Sequence, residues 1–268
     1  MKKSVKVYKH VPVLLSDFSS LLPKISGIWI DGTFGLGGYS KHLLQAGADK
    51  LVAIDLDPDV ISYAGDIKKV WPEKFKVFNA NFCEMTELAE GLGIKEISGI
   101  IFDVGISSMQ IDSSIRGFSL KNDGPLDMRM SKKGPSAKDF INEADEILIS
   151  EVLYKYGEER YAKAIAKRIV AIRKKYTIDT TFQLVEIIEN VLGINPKQRI
   201  HPATKSFQAI RVAINNELQN LILGLKSANR LLKIGGYLSV ITFHSLEDRI
   251  VKRFFNLKTK NDNFIDEV

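Results

Sequence analysis

The sequence has one cysteine, no long hydrophobic run and no leader-like start, and each absence excludes a class of protein. Cys83 alone, among 268 residues, cannot build an internal disulfide framework or a cysteine-ligated metal site. The longest apolar run, near Gly236–Phe243, is far shorter than a membrane span. The basic start, Met1–Lys6, has no apolar core of signal-peptide length and no arginine. We therefore expect a cytoplasmic protein of a reducing compartment, with no membrane partner.

Positive charge is concentrated in one segment of the chain. The whole sequence has 38 Lys and Arg against 32 Asp and Glu, with a formal net charge of +6 and a pI near 9.1. Residues 155–211 alone hold twelve Lys and Arg and five Asp and Glu. Their net charge, 12 − 5 = +7, is larger than the +6 of the whole chain. Such a segment favours a polyanionic partner, although many basic proteins bind no nucleic acid.

Strand signals alternate with helix signals over residues 25–103, and this alternation predicts an α/β fold. We expect a doubly wound, mostly parallel sheet covered by helices on both faces. In such sheets the ligand binds outside the carboxyl ends of the strands. The predicted strands, each ending in a polar residue, are Gly27–Asp31, Leu51–Asp55, Lys76–Asn79 and Gly99–Asp103.

The alternation stops after Asp103 and resumes only near the end of the sequence. Residues 110–135 are rich in Gly, Asp, Ser and Arg, which predicts a long functional loop. An apolar face over Tyr161–Lys175 predicts a helix. Near the end, Gly235-Gly236 predicts a turn before a strand over Tyr237–Phe243. The predicted division is a discontinuous core, 1–107 and 215–268, and an inserted helical substrate-recognition domain, 108–214.

The glycine-rich turn after the first strand is the most informative motif. It begins at Asp31 and runs Asp-Gly-Thr-Phe-Gly-Leu-Gly-Gly, and the next strand ends in Asp55. Glycines let the backbone approach a ligand closely, and an acid at the second strand end can accept both hydroxyls of a ribose. A carboxylate at Asp31 would repel a pyrophosphate and suit a cation. The motif therefore favours S-adenosylmethionine over a dinucleotide or a purely structural turn.

Other candidate residues come from the remaining strand ends. Phe82 either stacks on an adenine or fills the core. Asp103 is a candidate acceptor for an exocyclic amine, although the Pro-Pro-aromatic sequence of many amino methyltransferases is absent after it. His244 follows the last predicted strand, and the sequence contains no G-x-S-x-G element that would support a hydrolase.

Two polar segments are candidates for contact with RNA. The loop over Arg116–Met130 carries Arg and Asp side chains, which either pair with one another or grip phosphate. The second segment is His201–Arg211. No second histidine or carboxylate stands at metal-ligand spacing from His201, so we predict no metal site.

Eight segments, in order over about residues 8–255, share the sequence pattern of one family. They are His10–Leu15, Asp31–Gly38, Asp103–Asp112, Arg116–Ser119, Asp123–Met130, Gly157–Arg160, His201–Arg211 and Phe243–Arg249. The sequence resembles the bacterial 16S ribosomal RNA cytosine-N4 methyltransferase family, called MraW or RsmH. The resemblance implies a class I, Rossmann-like, S-adenosylmethionine-dependent methyltransferase core that carries a helical insert.

The resemblance also implies an activity, which is methylation of the exocyclic N4 of a cytidine in the decoding region of small-subunit rRNA. The implied partner is 16S rRNA or the small ribosomal subunit, and homodimerisation stays open. The cofactor residues that it implies are Gly37, Gly38, Tyr39, Asp55, Phe82, Asp103 and Gln110, to which we add Asp31 from its place at the first strand end. The catalytic candidates are Asp103, Ser107 and His244. The candidates for RNA contact are Arg116, Arg129, His201, Lys205 and Arg211.

Three departures from the family pattern affect these expectations. Tyr39 stands where the family usually has His, so a side-chain contact to the cofactor would change, whereas a backbone contact would not. Lys205 stands where Arg is usual and lacks the planar fork. The acidic end, Asp266-Glu267, replaces the usual basic tail. Two rival functions remain, an NAD-linked oxidoreductase and a non-catalytic assembly factor that only binds rRNA.

Overall fold

The computed structural model describes residues 12, 14–22, 24–193 and 199–257, with the side chain of Leu257 excepted. The basic start, half of the motif His10–Leu15, and the acidic end lie outside the described residues. The chain forms two compact units, Met1–Val104 with Asn220–Val268, and Gly105–Gln219. The functional division into a core and a substrate-recognition insert stays a prediction.

The first unit contains a five-stranded parallel sheet with the strand order β3-β2-β1-β4-β5. Successive residues of β4 are buried on both faces of the sheet, as expected for a parallel sheet between layers of helices. The order reverses between β1 and β4, and open α/β sheets bind ligands at such a switch point. The strands are β1 (Ile28–Asp31), β2 (Lys50–Asp55), β3 (Phe75–Asn79), β4 (Ile97–Asp103) and β5 (Leu232–Ile241).

Amphipathic helices pack on this sheet. In α11, for example, Leu221, Leu225 and Ala228 recur at helical spacing and are buried. The helices are α1 (Leu15–Leu21), α2 (Gly38–Gln45), α3 (Gly65–Val70), α4 (Met85–Gly91), α11 (Glu217–Leu231, in this unit from Asn220 onward) and α12 (Ser245–Leu257), with 3-10 turns at Val60–Ala64 and Phe82–Glu84. No helix within the described residues is both long enough and apolar enough to cross a bilayer.

The start of β5 differs from the prediction. We expected a turn at Gly235-Gly236, but the strand begins at Leu232, directly after α11. The pairing moves from Ile97 with Leu232 to Gly99 with Tyr237, so the extra residues form an irregularity within the strand. Gly235 has a φ of 78°, which a glycine adopts without steric cost. The glycine pair therefore marks a bulge and not the end of an element.

The second unit is helical. Side-chain caps begin several of its helices: Ser136 and Asp139 form a capping box at α6, and Thr180 and Gln183 form one at α9. The predicted loop over 110–135 was wrong in its first part, because residues 108–116 are largely helical. The helices are α5 (Ser108–Asp112), α6 (Ala137–Glu143), α7 (Glu146–Gly157), α8 (Ala162–Arg173), α9 (Thr181–Leu192) and α10 (Thr204–Ile214), with a 3-10 turn at Ser114–Arg116.

Candidate active site

Three carboxylates end neighbouring strands of the first unit. Asp31, Asp55 and Asp103 are the last residues of β1, β2 and β4. The strand β1 pairs in parallel with both β2 and β4. Because parallel strands end at the same edge of a sheet, the three acids lie together at the switch point.

Asp31 supports the glycine-rich turn from inside the protein. Its side chain is 1% exposed. One carboxylate oxygen accepts from the Ser40 hydroxyl at 2.6 Å, and the other accepts from the Thr33 N–H at 3.2 Å. Burial raises the pKa of Asp31 to about 6, although the bond from Ser40 opposes the shift. The carboxylate thus ties the turn to α2, and its direct contact with a cofactor stays a prediction.

Asp55 holds the turn from the neighbouring strand. Its two oxygens accept from the backbone N–H groups of Gly35 and Asp57, each at 2.8 Å. Burial raises the pKa of Asp55 to about 7, and these two hydrogen bonds oppose the shift. Each carboxylate oxygen has two acceptor positions, so both oxygens keep capacity for a further donor such as a ribose hydroxyl.

Gly37 and Gly38 of the glycine turn leave no room for a side chain. Gly37 has a φ of 76° and is buried, and a Cβ there would lie 2.7 Å from both the Ile67 Cδ1 and the Phe34 ring. A Cβ on Gly38 would overlap the Pro12 ring. The backbone of this turn is therefore the surface that a ligand can approach closely.

Tyr39 places its side chain in the core. The residue is 4% exposed, and its ring meets the Phe18 ring edge-on with 5.4 Å between centroids. Burial, and the nearby charges of Asp103 and Asp31, raise the pKa of its hydroxyl. Any contact of Tyr39 with an external ligand is therefore expected through its backbone.

Phe82 packs in the core with part of its ring, and its stacking on adenine stays a prediction. Its ring packs against the Phe102 ring with 4.9 Å between centroids and a tilt of 37°. On α11, a Cβ at Gly224 would lie 2.5 Å from the Phe82 ring. The ring is half-buried, so part of it fills the core and the remainder keeps the predicted stacking on adenine available.

Asp103 carries a buried oxygen that lacks a hydrogen bond. Its backbone N–H donates to the Thr33 hydroxyl at 2.6 Å, but no group of the described chain donates to its Oδ1. Burial raises the pKa of Asp103 to about 6, and the charge of Glu247 adds to the shift. Buried acceptors normally have a partner, so this oxygen marks a place for an external donor.

Glu247 is a residue of this edge that the sequence analysis did not name as a site candidate. It is 2% exposed, and its Oε2 accepts from the N–H groups of Phe243 and His244 at 2.9 and 3.3 Å. The His244 Nε2 lies 3.1 Å from Glu247 Oε1, but without hydrogen-bonding geometry. Glu247 therefore fixes the backbone that carries His244. An acid in the first turn after a strand end was the available signal.

Ser107 and Gln110 belong to the second unit, where they cap α5 together. The Ser107 hydroxyl accepts from the Gln110 N–H at 3.3 Å, and the Gln110 Oε1 accepts from the Ser107 N–H at 2.9 Å. Gln110 is 4% exposed. The structure thus gives both residues a local role, and their predicted catalytic and cofactor roles stay predictions.

Two arginines predicted to contact RNA also support their own loop. Arg116 is 5% exposed and donates to the carbonyls of Arg129 and Met130 at 2.8 and 3.0 Å. Arg129 makes a forked pair with Asp127 at 3.0 and 2.7 Å and donates to the Gly134 carbonyl. The structure thus gives both guanidinium groups a role inside the loop, and their contact with RNA stays a prediction.

Arg211 also has a partner within the protein, whereas Lys205 is exposed, and the contact of both with RNA stays a prediction. Arg211 forms a forked pair with Glu217 at 2.8 and 2.9 Å, and both side chains are largely buried. The His201 Nε2 lies 3.2 Å from Glu189 Oε1, with its side chain 36% exposed. Lys205 is exposed. Of the predicted RNA contacts, Lys205 thus keeps its charge at the surface.

A parallel sheet of this order, with a glycine turn and acidic strand ends, is the Rossmann-like core of a methyltransferase. Comparison with known families supports this class. The profile of the MraW methylase family matches residues 7–267. The chain belongs to the MraW methylase family, which confirms both the resemblance and the predicted fold class.

Several curated relatives are named ribosomal RNA small subunit methyltransferase H. The Cereibacter sphaeroides protein is 46% identical over 93% of this chain and 74% of its own length. The Ruegeria protein is 46% identical over 95% of this chain and 77% of its own length. The Methylorubrum populi protein is 44% identical over 94% and 72%, respectively. A solved rRNA methylase from Streptococcus thermophilus aligns over 33% of this chain and 51% of that chain, with 18% identity and a TM-score of 0.28, too weakly to support a conclusion.

Proposed function

We propose that this chain methylates the exocyclic N4 of a cytidine in the decoding region of small-subunit rRNA, with S-adenosylmethionine as the methyl donor. Membership of a methylase family supports the reaction type, and the names of the relatives support the substrate class. The observation that carries the proposal is the buried Asp103 oxygen at the end of β4, to which no group of the described residues donates. It lies where an amine donor would complete its hydrogen bonding.

The residues at this edge of the sheet fit a cationic nucleoside. S-adenosylmethionine, when bound, supplies a methyl group on a sulfonium for in-line displacement. The backbone of Gly37 and Gly38 would hold it, Asp55 would accept its ribose hydroxyls, and Phe82 would flank its adenine. Buried carboxylates with raised pKa values suit a positive charge, because a cation favours their ionised forms. The pyrophosphate of a dinucleotide would meet repulsion from the same groups.

Asp103 is the proposed acceptor for the target amine. The lone pair of a cytosine amine is delocalised into the ring, so the amine is a weak nucleophile. Accepting its hydrogens lets the nitrogen become pyramidal and direct its lone pair outward. Positioning of the amine against the methyl group then supplies most of the rate enhancement. The proton of the amine can leave to water after methyl transfer. We propose that Ser107 and His244 help to orient the base.

The second unit is proposed to hold the rRNA. A cytidine inside a paired stem cannot present its N4 to the strand ends, so it must be unpaired or flipped. The excess of positive charge over residues 155–211 suits the phosphates that flank such a base. We therefore propose two roles: residues 108–214 recognise the substrate, and residues 1–107 and 215–268 carry out catalysis.

Nucleoside-resolved mass spectrometry of small-subunit rRNA tests this function. In cells that lack the gene, we expect the N4-methylcytidine of the decoding region to disappear, and in cells with the gene restored we expect it to return. An unchanged methylation pattern would favour the rival role of a non-catalytic assembly factor. Purified protein with labelled S-adenosylmethionine and subunits from the deletion strain then identifies the substrate.

Cofactor affinity is expected to fall at acid pH. The pKa values of Asp31 and Asp103 are raised from 3.8 to about 6, and that of Asp55 to about 7. A bound cation and ribose favour the ionised forms, so binding is strong above pH 7 and is lost as the pH falls through these values. Below about pH 6, the Kd for S-adenosylmethionine should rise about tenfold per pH unit.

Isothermal titration over this pH range measures the effect. S-adenosylhomocysteine is the matched control, because it lacks the sulfonium charge and should show a smaller dependence. A Kd for S-adenosylmethionine that stays constant through these pKa values would contradict the assignment of the three carboxylates to this site.

A further inference from the structure

Two exposed tyrosines frame the turn between α7 and α8. Tyr154, in the last turn of α7, is 69% exposed, and Tyr161, just before α8, is 59% exposed. The turn between them is well anchored. The Glu158 N–H donates to the Tyr154 carbonyl at 3.0 Å, and the Tyr161 N–H donates to the buried carboxylate of Glu159 at 2.9 Å. Both rings are thus presented to solvent from a fixed backbone.

Exposed cations flank these two tyrosines along the chain. Arg160 directly precedes Tyr161, and Lys163 and Lys167 lie four residues apart on α8, so they share one exposed face of that helix. Lys205 reaches the same turn from α10, since its Nζ donates to the Glu158 carbonyl at 3.3 Å. The exposed cations of residues 151–168 and α10's first turn are Lys155, Arg160, Lys163, Lys167, Arg168 and Lys205, against the exposed carboxylates Glu151 and Glu158.

The packing of α10 fixes this arrangement. A Cβ on Gly157 would lie 2.6 Å from the Lys205 carbonyl oxygen, so the end of α7 touches the start of α10. The Gln208 side chain also donates to the Tyr156 carbonyl at 3.3 Å. These contacts therefore hold the backbone of Lys205 next to the turn between Tyr154 and Tyr161.

We propose that this surface, the tyrosine corner, formed by Tyr154, Lys155, Arg160, Tyr161 and Lys205, docks an unpaired stretch of RNA. Aromatic rings exposed between cations match the chemistry of single strands, whose bases stack on rings while their phosphates meet positive charge. The proposal rests on the proposed function only for the identity of that RNA as rRNA.

The test uses the full-length chain and a fluorescein-labelled oligouridylate, which is single-stranded and has no secondary structure. Tyr154→Ala and Tyr161→Ala should each weaken its binding about tenfold. Tyr154→Phe and Tyr161→Phe keep the rings and should restore binding to within about twofold of the wild type. The matched control is Phe182→Ala, which removes a 43% exposed ring from α9. The Phe182 N–H donates to the Asp123 carboxylate, and this variant should leave binding unchanged.

Salt dependence separates the cations from the rings. Arg160→Ala with Lys205→Ala should lower the slope of log affinity against log salt by about 1.4, since each phosphate contact to a single strand contributes about 0.7, whereas the tyrosine variants should leave the slope unchanged. All these residues are exposed, and melting curves verify that each variant folds like the wild type.

Methyl transfer to small subunits, measured on the same preparations, keeps the two proposals separate. A wild-type chain that binds oligouridylate through the tyrosines but does not methylate subunits overturns the proposed function alone. If the wild type methylates subunits but its double tyrosine-to-alanine variant binds oligouridylate normally, only the proposed role of the tyrosine corner is overturned. The rings would then be assigned to contact with a protein.

Discussion

Asp103→Ala is expected to lower the rate of methyl transfer about 10²- to 10³-fold, the usual cost of losing a positioned polar group at a reacting centre. The variant loses the carboxylate that we propose accepts the hydrogens of the target amine. Single-turnover transfer of a labelled methyl group to small subunits, at saturating S-adenosylmethionine, measures the rate apart from cofactor affinity. Asp103→Asn keeps one acceptor oxygen and should fall between the wild type and the alanine variant.

The same substitution is expected to stabilise the protein. Because the folded-state pKa of Asp103 is raised to about 6 from 3.8, the ionised form is disfavoured on folding. The destabilisation is fully present above the folded pKa and vanishes as the pH falls below the unfolded value. Asp103→Ala should therefore raise the Tm by a few degrees at about pH 8 and by less at about pH 5. Near-normal transfer, or a lower Tm at both pH values, would remove Asp103 from the acceptor role.

Asp55→Ala is expected to weaken S-adenosylmethionine binding on the order of 10²-fold, because two charge-assisted hydrogen bonds are at stake. The variant leaves the N–H groups of Gly35 and Asp57 without their acceptor. The glycine turn then keeps only its backbone link to β2, from the Phe34 N–H to the Ile54 carbonyl, and the proposed ribose site loses both oxygens. Isothermal titration at about pH 8, where the carboxylate is ionised, gives the affinity.

A surface carboxylate provides the control for Asp55. Asp66 is 94% exposed and pairs with Lys69 at 3.0 Å, so Asp66→Ala should leave the Kd unchanged. Asp55→Asn should bind more weakly than the wild type and more strongly than Asp55→Ala, because an amide keeps one acceptor. An Asp55→Ala variant that binds S-adenosylmethionine as tightly as Asp66→Ala would falsify the assignment of Asp55.

The sheet and its acidic edge were predictable because their signals are local. Apolar runs define the strands, and the polar residue that ends each run marks the edge, so Asp31, Asp55 and Asp103 could be placed from sequence alone. The bulge at Gly235 was missed, because a glycine pair is compatible with either a turn or an irregular strand. Only the pairing with β4 decides between them.

The RNA contacts were the weaker part of the prediction, because partners distant in sequence decide whether a cation is available. The Arg116 guanidinium binds carbonyls thirteen and fourteen residues away, and nothing in its own motif reveals this. Glu217 is likewise not part of the segment that contains Arg211. The exposure of Tyr154 and Tyr161 depends on which helical faces pack, so it could not be read from residue type.

The packing around Phe82 has a consequence for ligand recognition. Gly224 and Gly32 both make room for aromatic rings, Gly224 for that of Phe82 and Gly32 for that of Phe102, and the two rings lie against each other. A nucleobase that stacked on the exposed side of Phe82 would contact a ring whose conformation is already fixed in the folded protein. The conformational entropy of the Phe82 side chain would thus be lost during folding, and its ordering would not reduce the affinity for the nucleobase.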